Sequence, residues 1–163
     1  MALSKSVRRF VRAITFLLVT ALFCSPPAYA ACSVTATPIV FGSYNGIAKS
    51  EIQNVANVTV RCNDLLVDAS FTISVSPGQS GNAMSRYLAS GPSRLIYQVY
   101  TDAARTRVAG DGSAGTVSPA GSVLALAGIG TTSSSVQLYP VVAAGQSPAP
   151  GTYTDTLTVL VSY

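Results

Sequence analysis

The chain contains no histidine and no tryptophan, and charged residues make up only 10% of its 163 positions. Each absence excludes a class of chemistry. Without histidine there is no imidazole general base, no His-centred nucleophile system and no His metal ligand. Lysine is nearly absent, with Lys49 the only one after the first few residues, and no Gly-x-Ser-x-Gly, phosphate-loop or calcium-loop pattern occurs. The sequence therefore offers no catalytic residue, no cofactor site and no metal site. The formal net charge of +4 suggests an anionic partner until the charges are located. Lys5, Arg8, Arg9 and Arg12 crowd into the first twelve residues, and no acid precedes Glu51. From Ala31 onward six bases face six acids, and Arg61 and Arg94 stand alone, so no basic stripe exists for nucleic acid.

What is present begins with an address. The basic cluster is followed by the apolar run Ala13–Phe23 and by Ala28-Tyr29-Ala30, a small-x-small cleavage signature. The run is too short to span the ~30 Å of a bilayer core. Residues 1–30 are thus expected to be a cleaved signal peptide, and residues 31–163 one exported domain without a membrane span. Export changes the meaning of the cysteines. Cys24 leaves with the signal, and Cys32 and Cys62 remain as a pair in an oxidising compartment, where the default is one disulfide.

After residue 31 the apolar pattern alternates with period two and shows no sustained helical period. Val58-Val60-Cys62, Phe71-Ile73-Val75 and Leu95-Tyr97-Val99 each alternate with polar or smaller neighbours, and Val136-Leu138-Pro140 continues the rule. The longest such run predicts a strand over Tyr153–Tyr163, with Tyr153, Asp155, Leu157, Val159, Val161 and Tyr163 on one face. Gly- and Pro-rich clusters at residues 77–82, 90–93, 109–112 and 145–151 separate the runs. Short strands at this spacing predict an all-β antiparallel sandwich.

Four blocks in order resemble a known family. Cys32-x-Val34-x-Ala36-x5-Phe41-Gly42-x-Tyr44 is similar to the opening of the spore coat protein U domain, which also forms the subunits of archaic chaperone–usher pili. Tyr97 to Thr106, Gly110-Asp111-Gly112, and Gly145-x4-Pro150-Gly151-x-Tyr153-x-Asp155-x4-Val159 resemble its central strand, the turn after it and its closing strand. The resemblance implies an immunoglobulin-like sandwich that lacks its last strand. A periplasmic chaperone fills the groove first, an outer-membrane usher follows, and a neighbouring pilus subunit then donates the strand. It also implies passage through the periplasm to the cell surface. On this resemblance Gly151, Tyr153, Leu157, Val159, Val161 and Tyr163 are the expected partner-strand and chaperone groove. Gly151 lies twelve residues before Tyr163, similar to chaperone-recognised pilin C-termini. Cleavage after Ala30 would leave only Ala31 before Cys32, so the subunit would receive a strand but have none to donate, which implies a terminal or accessory place. Ala109 departs from the family, whose members often carry Trp there.

Two further features carry expectations. Val123–Ile129 is the most apolar uncharged run after residue 31. Leu124, Leu126 and Ile129 within it are either an exposed adhesive tip or part of a strand buried on both faces. Asp102, Arg105, Arg107 and Asp111 cluster around one turn. Glycosidase chemistry needs a carboxylate pair, but a solvated turn with Asx-type hydrogen bonds explains them more simply. The alternative to a fibre subunit is a self-complete secreted β-sandwich that binds carbohydrate or a surface polymer.

Overall fold

The structure is a computed structural model that describes residues 31–47 and 50–163; the expected signal peptide lies outside the described residues. Among the described residues nine strands run β1 Ala31–Ala36, β2 Ile52–Gln53, β3 Ala56–Asn63, β4 Ala69–Val75, β5 Tyr87–Ser90, β6 Ser93–Tyr100, β7 Ala120–Val123, β8 Thr131–Val142 and β9 Val159–Ser162. Among the described residues a 3-10 turn at Gly78–Ser80 is the only helical element, and no helix is long and apolar enough to cross a membrane. The chain is all-β, and its two antiparallel sheets form an immunoglobulin-like sandwich.

The larger sheet has the order β1-β3-β8-β6-β5, with β2 also on β8; the smaller has the order β7-β4-β9. Alternation in the sequence maps directly onto burial. Val58, Val60 and Cys62 of β3 and Leu95, Tyr97 and Val99 of β6 point inward and meet Phe71, Ile73 and Val75 of β4, all buried in one core. The intervening side chains of these strands, such as Thr59, Arg61, Thr72 and Ile96, are exposed or half-buried. A period of two in the sequence becomes one wet and one dry face because successive Cβ atoms point to opposite sides of a strand.

Proline 140 explains an irregularity. Strands β2 and β3 pair with β8 in one continuous register, Gln53 opposite Val141 and Ala56 opposite Leu138. The gap between them, Asn54-Val55, lies across from Tyr139-Pro140. Asn54 N donates to Pro140 O at 3.0 Å, but Pro140 has no N–H to return the bond, so the ladder breaks there. One strand is thereby divided in two beside the middle strand of the sheet. The side chain of Asn54 takes up the slack, with its Oδ1 accepting from Val55 N at 2.7 Å and its Nδ2 donating to Val40 O at 2.6 Å.

The terminal segment differs from the expected continuous strand over residues 153–163. Thr154 exchanges both backbone bonds with Ala89 of β5 in the larger sheet, whereas Thr158 accepts from Ser76 N and Val159–Ser162 pair with β4 in the smaller one. The segment crosses from one sheet to the other. Its alternation survives the crossing, but its ladder does not, because its hydrogen-bond partners change midway. Regular pairing ends at Ser162, so Tyr163 is 61% exposed.

Candidate functional site

The interior around the crossing segment is built on Arg86, a residue in no motif. Arg86 is fully buried, and its guanidinium donates to the backbone oxygens of Val75 (3.2 Å), Ser76 (2.8 Å), Ala83 (3.0 Å) and Ala109 (3.0 Å) and to Gln98 Oε1 (2.8 Å). It ties β4, the loop before β5, β6 and the buried Ala109 into one knot. Burial pushes its pKa down, while nearby Tyr97 and Asp155 push it up. Tyr97 lies close by, and its hydroxyl donates to Asp155 Oδ2 at 2.7 Å. Burial above all, then the Asp155 carboxylate, pushes the Tyr97 pKa well up, so the phenol remains a donor. Asp155 Oδ1 also accepts from Gln79 N at 2.9 Å and Thr156 N at 2.8 Å. This carboxylate pins the crossing segment to the 3-10 turn. Gly78, at φ +68°, makes the approach possible, because a Cβ there would sit 2.2 Å from Asp155 Oδ2.

Beyond Asp155 the core is not closed. Strand β9 is an edge of its sheet. Between it and the segment after β1 lies a groove of about 390 Å³, with Ala36, Ile39 and Phe41 on one bank, Leu157 and Val159 on the other, and Val58, Val99 and Leu138 among its lining. The apolar side chains of the two banks are only partly covered, in contrast to β4 next to β9, where Phe71, Ile73 and Val75 are buried. An adjoining cleft of about 930 Å³ shares Ile39, Phe41, Leu88 and Asp155 with the groove. Its wall is held by Tyr44, which accepts from Gln146 N at 2.7 Å, and by Tyr153, which donates to Ala149 O at 2.6 Å.

The residues expected in the groove are thus distributed unevenly. Leu157 and Val159 line it, and Gly151 and Tyr153 line the adjoining cleft. Val161 packs against the core without lining either space. Tyr163, the terminal aromatic expected on the inward stripe of the groove, lines neither and faces solvent, because β9 ends one residue earlier. The bank contributed by Ala36–Phe41 was not legible as part of a site, since nothing local marks which loop the topology lays beside the last strand. The Cys32–Cys62 disulfide is present, joining register partners on β1 and β3.

At one end of the sandwich, β7 stops at the buried Val123, and residues 124–130 form a loop in place of a doubly buried strand. Leu124, Leu126 and Ile129 are exposed, and so are Leu66 and Val67 of the β3–β4 loop, all between 54% and 77%. The two loops are stitched together. Asp64 N donates to Gly130 O (2.8 Å), Gly130 N to Asp64 Oδ1 (3.1 Å), Gly128 N to Leu65 O (3.0 Å) and Ala125 N to Asp68 Oδ1 (2.7 Å). The tip's two carboxylates each accept a backbone bond of the neighbouring loop, and its apolar side chains point out. Leu66 and Val67 carry no signal in the sequence, because three consecutive apolar residues, Leu65–Val67, between two aspartates show no period.

The charged turn separates into local pieces. Asp102 accepts from Thr106 N (3.1 Å) and Arg107 N (3.0 Å); Asp111 accepts from Ser113 N (2.9 Å) and Ser113 Oγ (2.6 Å). Arg105 pairs with Glu51. Among the described residues no three metal-ligating side chains gather. The bond from Thr106 N holds the Asp102 carboxyl below its ordinary range, the Ser113 hydroxyl does so for Asp111, and Arg105 does so for Glu51. Each group binds its proton more weakly folded than unfolded. Its contribution is therefore complete above the unfolded pKa of about 4 and is lost as pH falls through the folded one. Thermal melts should show a Tm that declines on acidification below about pH 4, with a shallower decline for D102N/D111N. An unchanged acid slope in the double variant would contradict this.

Residues 18–160 match the family model described as Spore Coat Protein U domain. No curated protein matches the chain. Among solved structures, a chain from the crystal structure of the CsuC-CsuE chaperone-tip adhesion subunit pre-assembly complex, from archaic chaperone-usher Csu pili of Acinetobacter baumannii, has a similar fold. It is 21% identical with a TM-score of 0.54, and the match covers 83% of this chain and 40% of that one. At this identity the likeness is one of fold.

Proposed function

The chain belongs to the Spore Coat Protein U domain family, and on that premise we propose that it is a structural subunit of a surface fibre that is completed by a partner's strand. The observation that carries this reading is the half-covered apolar groove beside Leu157 and Val159, where the edge strand β9 begins. An extended peptide seated there would gain backbone hydrogen bonds from the sheet edge, and its alternate side chains would enter the groove and set the register. The occupant is an extended segment with alternating apolar side chains, supplied first by a periplasmic chaperone and then by a neighbouring subunit delivered at an outer-membrane usher. The role is assembly and not catalysis. Synthetic alternating apolar peptides of about ten residues should raise the Tm of the isolated protein, since a ligand that binds only the folded state stabilises it. L157D and V159D should lose the response. A stable monomer whose Tm no such peptide changes would overturn the reading.

The terminal or accessory place in the fibre rests on cleavage after Ala30, which would leave only Ala31 ahead of Cys32. N-terminal sequencing of the exported protein should begin at Ala31-Cys32. A longer mature terminus with an apolar alternating segment would make the subunit a donor as well.

The two stitched loops favour a second element of the same reading, an adhesive end. Five exposed apolar side chains converge there, and contiguous patches of this kind mark contact sites. Fibres or cells carrying L124D/L126D/I129D should lose attachment to apolar surfaces while the purified protein keeps its Tm. Attachment equal to wild type would remove this element.

A further inference from the structure

We propose that the outer face of the smaller sheet carries a binding site for a neutral pyranose sugar, read through a pair of neighbouring hydroxyls. A pocket of about 500 Å³ opens there, between the outward side chains of β4 and β9 and the two loops that overhang them. The volume falls in the range of small-molecule sites. Ser74 and Leu160, register partners on the outward face, belong to its lining, with Asn82 and Met84 from one loop and Asp111 from the other.

The polarity of the two loops is fixed by their own hydrogen bonds. Asp111 Oδ1 is taken by the N–H and hydroxyl of Ser113, while Oδ2 receives no donor among the described residues. Asn82 Oδ1 accepts from Met84 N at 2.9 Å, which assigns the amide NH2 to the other side, where it donates to nothing among the described residues. One wall therefore offers a fixed acceptor and the other a fixed donor. A hydroxyl both donates and accepts, so adjacent hydroxyls of a sugar ring satisfy both walls. Leu160 and Met84 are 61% and 47% exposed beside them and supply an apolar surface for the C–H face of the ring. The Ser113 bonds hold Asp111 below its ordinary carboxylate range, so the acceptor stays ionised at neutral pH. The absence of Lys or Arg from the lining disfavours anionic ligands, and a single carboxylate is too little for a metal ion.

The site does not depend on strand capture. Leu160 lies on the outward face of β9, and a strand added to that edge would leave the face open. The two readings therefore fail separately.

Saturation-transfer NMR on the exported protein tests the site, with methyl mannoside, galactoside and glucoside as probes and glucuronate as the charged control. At least one neutral glycoside should receive saturation and glucuronate should not. N82D and D111N each keep the acceptor that Met84 N or Ser113 N needs, so both should fold; N82D should retain the wild-type Tm, and D111N should lose only the part of it that the ionised Asp111 contributes. Each should weaken binding about ten-fold or more, the loss of one hydrogen bond to a charged or fixed group. No transfer to any neutral glycoside, equal transfer to glucuronate, or undiminished binding in both variants would overturn the proposal, whatever the outcome of the peptide experiment.

Discussion

Substitution of Arg86 by methionine is expected to destabilise the domain by about 3–5 kcal/mol, the cost of breaking a buried charged network on one side. The methionine fills most of the space of the arginine stem, so the loss is mainly polar. Val75 O, Ser76 O and Ala109 O lose their guanidinium donors while remaining inside the protein, and a buried acceptor left unmade costs the full desolvation of that group; Ala83 O and Gln98 Oε1 keep Gln98 Nε2 and Val99 N as donors. The three orphaned oxygens belong to β4, the turn after it and the segment after β6, so no small shift of one element re-satisfies them. R86K should fall between, because an ammonium has three donors and no planar fork to reach acceptors on several sides. Equilibrium urea denaturation of the three proteins checks this. A loss below about 1 kcal/mol for R86M would mean that water replaces the guanidinium, and the knot would not be what holds these elements together. Since whole domains are stable by only about 5–15 kcal/mol, the expected loss puts R86M close to unfolding at body temperature.

Removal of the disulfide is the second large effect. Cys32 and Cys62 are 30 residues apart, and the chain-entropy model gives about 3–4 kcal/mol for a loop of that size. The structure adds a local consequence. Strand β1 is an edge of the larger sheet and among the described residues pairs only with β3, with the bridge joining the two near its start. In a C32A/C62A variant the amides of β1 should exchange hydrogen faster than those of β3, in addition to the global loss. The native, unreduced protein should react with no thiol reagent. A loss under about 1 kcal/mol, or two reactive thiols, would remove the disulfide as a source of stability.

The fold was largely legible because its signal is local. Val58-Val60-Cys62, Phe71-Ile73-Val75 and Leu95-Tyr97-Val99 declare both their strand character and their buried face through the period of two, and each is buried as that period requires. Pro140 shows where local reading stops. Within the alternating run it passes for another inward apolar residue, and it is buried, but its missing N–H matters only to Asn54, which only the paired register places opposite it. The terminal run fails in a similar way. Alternation from Tyr153 to Val161 is real, yet alternation does not say which sheet a segment bonds to, and here the partner changes from β5 to β4.

The candidate site was legible on one bank only. Leu157 and Val159 stand in a recognisable terminal pattern, whereas Ile39 and Phe41 enter the groove because the chain after β1 is laid beside that strand. Leu66 and Val67 join the tip for the same reason. Arg86 is the extreme case, since a single arginine in a polar stretch reads as a solvated side chain.

By itself the sequence determined the strand content, the inward faces, the disulfide partners, the neutrality of residues 31–163 and the exclusion of histidine chemistry. All of these are properties of residue type or of spacing over a few positions. Only the tertiary structure decided that Arg86 is buried, that two distant loops make one tip and that the core stays half-covered along β9. Those are contacts between segments far apart in the chain, and their energies come from burial and from hydrogen bonds that exist only once the two sheets have packed.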